Sequence, residues 1–171
     1  PDVIQEEKLK KISKLLQIGL MVSFRNGFPL LHKTYEGNVS SVKIFEDMLK
    51  EISDNGIRGI ILDRGFFSKT NINDIKQLGM QVIIGVKKTA ALEKQFLKSI
   101  DRDEIYSKKH QVVLKETTIY AKSFPYLNGK LIAIYNPALE VLKRDKILTG
   151  EKIEKNIRYV GYSLVYHNTQ Y

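Results

Sequence analysis

The residues best placed to do chemistry lie in Gly59-Ile60-Ile61-Leu62-Asp63-Arg64-Gly65-Phe66-Phe67-Ser68. Three large apolar residues run into Asp63, and Gly65 follows two positions later. Such a run reads as a buried strand, so Asp63 stands where the strand leaves the core. A carboxylate beyond the carboxyl end of a strand is held in place yet still reaches solvent, a common placement for a functional residue in α/β folds. Its oxygens suit a hard cation such as magnesium. The plainer role is a turn cap, in which the carboxylate accepts amide hydrogens of the following loop. Gly65 would let the backbone turn tightly or approach a ligand.

One carboxylate is not a metal centre, because two-metal phosphoryl transfer converges several carboxylates on ions ~3.5 to 4 Å apart. Glu36, in Tyr35-Glu36-Gly37-Asn38, could join Asp63 if their strands are neighbours; otherwise it is a surface residue. Asp74 reads as a helix cap, and Asp101, Asp103 and Glu104 as a solvated face. His32, His110 and His167 are far apart and form no metal-binding or nucleophile-activating spacing. There is no GxGxxG or GxxxxGK[ST] phosphate loop. With no cysteine, disulfides, thiolate metal sites and cysteine nucleophiles are excluded, which fits a reducing compartment.

The 171 residues carry 28 Lys and Arg against 19 Asp and Glu, a formal charge of +9. Excess positive charge favours polyanions, whose phosphates release counterions on contact. Lys87-Lys88 follows a strand end, and Lys94 and Lys98 are one helical turn apart; with Lys108-Lys109 they could line one basic surface or simply be a solvated face. Tyr120, Tyr126, Tyr159 and Tyr162 could stack on unpaired bases or pack within a sheet. No segment approaches the ~18 to 20 apolar residues of a membrane span. Residues 1 to 14 are charged and unlike a secretory signal, and Pro1 in place of Met suggests a processed, trimmed or excised chain.

The elements that must position these residues follow from periodicity and turn chemistry. Leu9, Ile12, Leu15 and Leu16 predict an amphipathic helix within 3–16. Ile18 to Phe24 and Phe28 to Tyr35 predict a hairpin about Asn26-Gly27. Ser40 or Ser41 opens a helix with Val42, Phe45, Met48, Leu49 and Ile52 on one face, stopped at Asp54-Asn55-Gly56. A short helix capped by Asn71 and Asp74 and ending at Gly79 joins the Asp63 strand to a second buried strand, Gln81 to Val86. Residues 57 to 86 thus form a βαβ unit with parallel strands and a right-handed crossover. A longer helix spans 89 to 106, with Leu92, Phe96 and Ile100 inward. Gln111 to Leu114, Thr118 to Ala121 and Leu131 to Tyr135 are β-type runs, with a hairpin signal at Asn128-Gly129. Pro137 opens a helix with apolar Leu139, Leu142 and Ile147, and Tyr159 to Tyr166 returns to strand.

In order and spacing, Leu62 to Ser68 with Asn71, Leu78-Gly79 and Val82 to Lys87 resembles the second-aspartate region of insertion-sequence DDE transposases. Gln17 to Leu20, Gly27 to Leu30 and Gly37-Asn38 are similar to the segment preceding it. Ile134 to Ala138 with Arg144 and Asp145, then Gly161 to Thr169, resemble the insertion before the last catalytic element.

The resemblance implies an RNase H-like α/β fold: a mixed sheet combining an antiparallel hairpin with a parallel βαβ unit, and a β-rich insertion or tail. Residues 1–106 would be a partial core and 107–171 the insertion region. It implies that Asp63 is the second of two aspartates which, with a glutamate, hold Mg2+ or Mn2+ for DNA cleavage and strand transfer. Arg64, Lys87, Lys88, Lys94 and Lys98 would contact DNA. The first aspartate belongs on a strand before the hairpin. The glutamate belongs in a Tyr-x-x-Arg-x-x-x-Glu pattern that Tyr106, Lys109 and Val113 do not reproduce, and Ser68 stands where an aromatic is usual. The chain therefore reads as the middle of a transposase: inactive in isolation, holding metal weakly at most, cytoplasmic and nucleoid-associated in a prokaryote, with transposon-end DNA and a second copy of itself as partners. Two alternatives remain: a non-enzymatic nucleic-acid or protein-binding module, and an unrelated magnesium-dependent enzyme using Asp63 with Glu36.

Overall fold

The computed structural model describes residues 16–151 and 157–169. The helix expected within 3–16 lies outside them except for Leu16, which begins a strand. The chain forms two compact units. One comprises the residues up to Arg58 together with Ser68–Met80; the other comprises Gly59–Phe67 and the residues from Gln81 onward.

The first unit contains β1 (Leu16–Val22), β2 (Pro29–Glu36), α1 (Ser41–Asp54) and α2 (Lys69–Gln77). β1 and β2 pair antiparallel in a two-stranded sheet, with Ile18 opposite Thr34 and Leu20 opposite His32. Gly27 turns between them at φ +70°. α1 starts where the Ser40 hydroxyl accepts the Lys43 N–H, and Gly56 at φ +73° follows its end. Its apolar spacing buries Ile44, Phe45, Met48, Leu49 and Ile52. The hairpin comes close to this face at Gly19, where a Cβ would stand 2.6 Å from Met48 Sδ and 3.0 Å from Ile44 Cγ2. α2 starts one turn earlier than expected. Ser68, not Asn71 or Asp74, is its cap, accepting the Asn71 N–H at 2.9 Å. Asn71 is itself fully buried in the first turn.

The second unit is built on a six-stranded sheet of order β3-β4-β8-β7-β6-β5. Its strands are β3 (Gly59–Leu62), β4 (Gln81–Val86), β5 (Gln111–Leu114), β6 (Thr117–Tyr126), β7 (Gly129–Tyr135) and β8 (Tyr162–His167). β3 and β4 are parallel, as the βαβ reading requires; the other pairings are antiparallel. The architecture is mixed α/β and compatible with an RNase H-like fold.

One face of this sheet is core: Val82, Ile84 and Val86, then Leu131, Ala133 and Tyr135, then Tyr162, Leu164 and Tyr166 are all buried. The apolar run at β3 is not buried throughout. β3 is an edge strand, so Ile60 faces the core while Ile61 remains 57% exposed. The β6–β7 turn is made by Leu127 and Asn128, at φ 48° and 57°, so Gly129 begins the strand. There a Cβ would stand 2.6 Å from Tyr166 Oη.

The single helix expected over 89 to 106 is three pieces: α3 (Ala90–Gln95), a 3-10 turn (Leu97–Ser99) and α4 (Arg102–Ile105). Asp101 breaks the run. Its backbone is extended and its carboxylate accepts the N–H groups of Asp103 and Glu104, starting a new helix. Leu92, Phe96 and Ile100 still point inward. α5 (Pro137–Leu148) forms as expected, capped by Asn136. Its buried residue is Glu140, however, while Leu142 is 57% exposed.

Candidate functional site

Asp63 ends β3 and caps a 3-10 turn, Arg64–Phe66. Its Oδ1 accepts the Arg64 N–H at 2.7 Å, so the plain capping role is filled. The side chain stays exposed, and a carboxylate that gives one lone pair to an amide keeps others for a ligand. The turn is positioned from below by β4. A Cβ on Gly85 would stand 3.1 Å from Arg64 N and 3.2 Å from Arg64 Cβ, so a side chain there would push the turn away. Gly65 lies within the tight 3-10 turn, without a positive φ, and the glycine packed closely against the turn is Gly85.

The cations singled out in the sequence are all in this unit. Arg64, Lys87, Lys94 and Lys98 are exposed. Lys88 is half-buried, and its Nζ donates to the Tyr159 carbonyl at 2.7 Å. Lys94 lies in α3 and Lys98 in the 3-10 turn after it, not in one continuous helix. Lys109 is drawn to Glu104 at 3.1 Å.

The acidic residues take separate roles. Glu36 ends β2 in the first unit, Asp74 lies inside α2, and Asp101 caps α4. Glu104 is not merely a solvated face. Lys122 at 2.9 Å and then Lys109 donate to it and hold its carboxyl down at about 2. His110 Nδ1 lies 3.0 Å from the Ala121 carbonyl and its Nε2 3.6 Å from Glu104. His167 packs against Thr169, and burial, then Lys130, push its imidazole below the usual range.

A polar cluster that the sequence reading passed over sits at Glu140. Arg102 Nη2 donates to both of its oxygens, at 2.7 and 2.8 Å, and Arg144 Nε donates to Oε1 at 2.7 Å. The Tyr135 hydroxyl donates to Oε2, and the Tyr106 hydroxyl lies 2.8 Å from that of Tyr135. Burial pushes the Glu140 carboxyl up, but the donors Tyr135, Arg144 and Arg102 outweigh it and hold it below the usual range. Burial, then Glu140, push the Tyr135 phenol up. The available signal was the Glu140–Arg144 spacing of four on one helix.

The model of the family described as transposase DDE domain matches residues 8–155. This chain belongs to that family. No curated protein and no solved structure matches it. A transposase DDE domain acts on DNA and generally uses divalent metal. Among the described residues no group of three or more His, Asp or Glu is placed to hold a metal ion. Nor is any helix among them long and apolar enough to cross a membrane.

Proposed function

We propose that this chain is the central part of a transposase catalytic domain for DNA cleavage and strand transfer in the transposition of an insertion sequence, with Asp63 as one of its metal-ligating carboxylates. The family match carries this reading, because it runs through an exposed carboxylate at a strand end. Magnesium or manganese would serve the complete domain, bound weakly at most by this chain. Residues 1–106 would be the partial RNase H-like core and 107–171 the β-rich insertion. Arg64, Lys87, Lys94 and Lys98 would meet DNA phosphates at the transposon ends, with Lys88 adding charge behind them. The protein would work in a prokaryotic cytoplasm, associated with the nucleoid and paired with a second copy.

One carboxylate cannot assemble a two-metal site, so the isolated chain is expected neither to nick nor to join DNA. Cleavage of element-end DNA that requires magnesium and disappears in Asp63→Ala would overturn that inactivity. The ligand role is tested by adding Mn2+ and recording NMR relaxation at the Asp63 and Arg64 amides. Paramagnetic broadening in the wild type, absent in Asp63→Asn, is the expected result. Asn keeps the capping oxygen, so equal broadening in both proteins would reject the role without a folding defect as the excuse. Salt-sensitive DNA binding together with equal broadening in the wild type and Asp63→Asn would favour a non-enzymatic binding module.

A further inference from the structure

The second unit contains a cleft of about 540 Å³ lined by Leu97 to Arg102 and by Arg144, Arg158, Tyr159 and Tyr162. Its walls bring Lys98, Arg102, Arg144 and Arg158 together from the 3-10 turn, α4, α5 and the segment before β8. Among the described residues, four cations stand against Asp101 on the wall and Glu140 behind it, a formal surplus of two positive charges. Asp101 directs Oδ1 to the N–H groups of Asp103 and Glu104.

The guanidiniums are held in place. Arg102 binds Glu140 through Nη2, and Arg144 through Nε and Nη2, while Arg144 Nη2 also lies 3.5 Å from the Ile157 carbonyl. The Arg158 Cζ lies 5.7 Å from the Tyr159 ring centroid. An Arg fork has five donors, and the Glu140 bonds of Arg102 use one of its three nitrogens. A buried carboxylate that orients two planar forks without cancelling the local charge leaves donors suited to the tetrahedral oxygens of phosphate.

We propose that this cleft is a phosphate-binding site and that its ligand is a phosphodiester of DNA. The choice of DNA rests on the transposase reading; the phosphate chemistry does not. The site lies apart from the Asp63 turn in sequence and adds Arg102, Arg144 and Arg158 to the basic residues above. Arg144 and Arg158 belong to α5 and the chain entering β8, so the β-rich insertion would grip the DNA backbone together with α4 of the core.

The test uses the whole chain in EDTA, so that nothing depends on Asp63 or on metal. Binding of a 20-base-pair duplex of arbitrary sequence is followed by fluorescence anisotropy across a salt series, and binding of pyrophosphate by calorimetry. Lys98→Gln and Arg158→Gln are the variants, since they leave the Arg102 and Arg144 bonds to Glu140 in place; matching melting curves confirm the fold. Together they should weaken duplex binding roughly tenfold and lower the slope of log K against log salt by about 2, near 0.9 for each contact removed. Unchanged duplex binding with pyrophosphate bound by the wild type and lost in the double variant would keep the phosphate site and assign it a free phosphate compound. Unchanged duplex binding and no variant-sensitive pyrophosphate binding would overturn the proposal, whatever the Mn2+ experiment at Asp63 shows.

Discussion

Arg102 Nη2 stands 2.7 and 2.8 Å from the two carboxylate oxygens of Glu140. This joint ties α4 to α5, and through the Tyr135 hydroxyl it reaches β7. Glu140 is 6% exposed, in a helix that leaves Val141 and Leu142 in solvent. What anchors α5 at this position is thus an ionised side chain, not an apolar stripe. Such an anchor holds only while its donors are present, since a buried unpaired carboxylate is costly.

Glu140→Gln keeps the shape and removes the charge. Arg144 and Arg102 then lose their shared counter-ion, and the Tyr135 hydroxyl loses a charged acceptor. Arg102 is more than half exposed and water takes over part of its solvation, so the pair is discounted. The expected cost is about 1 to 2 kcal/mol, typical of a charged hydrogen bond. Urea unfolding of the wild type and Glu140→Gln measures it. A difference within ~0.5 kcal/mol, the scale of ordinary surface changes, would show that α5 is held otherwise.

Acid should loosen the second unit through Glu104. Lys122 and Lys109 lower its folded-state carboxyl from 4.5 to about 2. A depressed carboxyl contributes stability that is fully present above its unfolded value and is lost as pH falls through the folded one. Stability should therefore decline from about pH 4.5 toward pH 2, with Glu140 acting in the same direction. Glu104→Gln has no carboxyl to titrate, so its melting temperature should fall less steeply across that window. Parallel pH profiles for the two proteins would remove Glu104 from the account.

Local rules carried much of the fold. The Asn26-Gly27 turn, the α1 face and the parallel β3–β4 pair follow from turn chemistry and periodicity over a few residues. Pairings distant in sequence did not. β8 lies between β4 and β7, an arrangement fixed by which faces can be buried together and not by anything near Tyr162. The apolar run 59–62 gave no sign that β3 would be an edge. Asp101 looked like a surface acid within a long helix because its capping depends on a break in the backbone that periodicity does not report. At the candidate site, Asp63 was legible from its strand end and its turn. Glu140 was less so, because its spacing of four from Arg144 signals only an ordinary helix-surface pair until Arg102, 38 residues away, is brought beside it.

Gly85 offers a way to move the Asp63 turn without touching its chemistry. A methyl there would meet Arg64 N at 3.1 Å and Arg64 Cβ at 3.2 Å, closer than carbon atoms rest comfortably. Arg64 N is also the donor to Asp63 Oδ1, so a shift of the turn stretches the bond that orients the carboxylate. Gly85 lies in β4 between Ile84 and Val86, both buried, and β4 pairs on either side with β3 and β8. The strand is therefore less able to yield than the exposed turn. Gly85→Ala should cost about 1 kcal/mol or more, as overpacking does. It should also change the amide chemical shift of Arg64 far more than those of β7. The alanine variant should weaken any Mn2+-induced broadening at Asp63. Wild-type stability together with an unmoved Arg64 resonance would mean that the turn does not rest on β4 at Gly85.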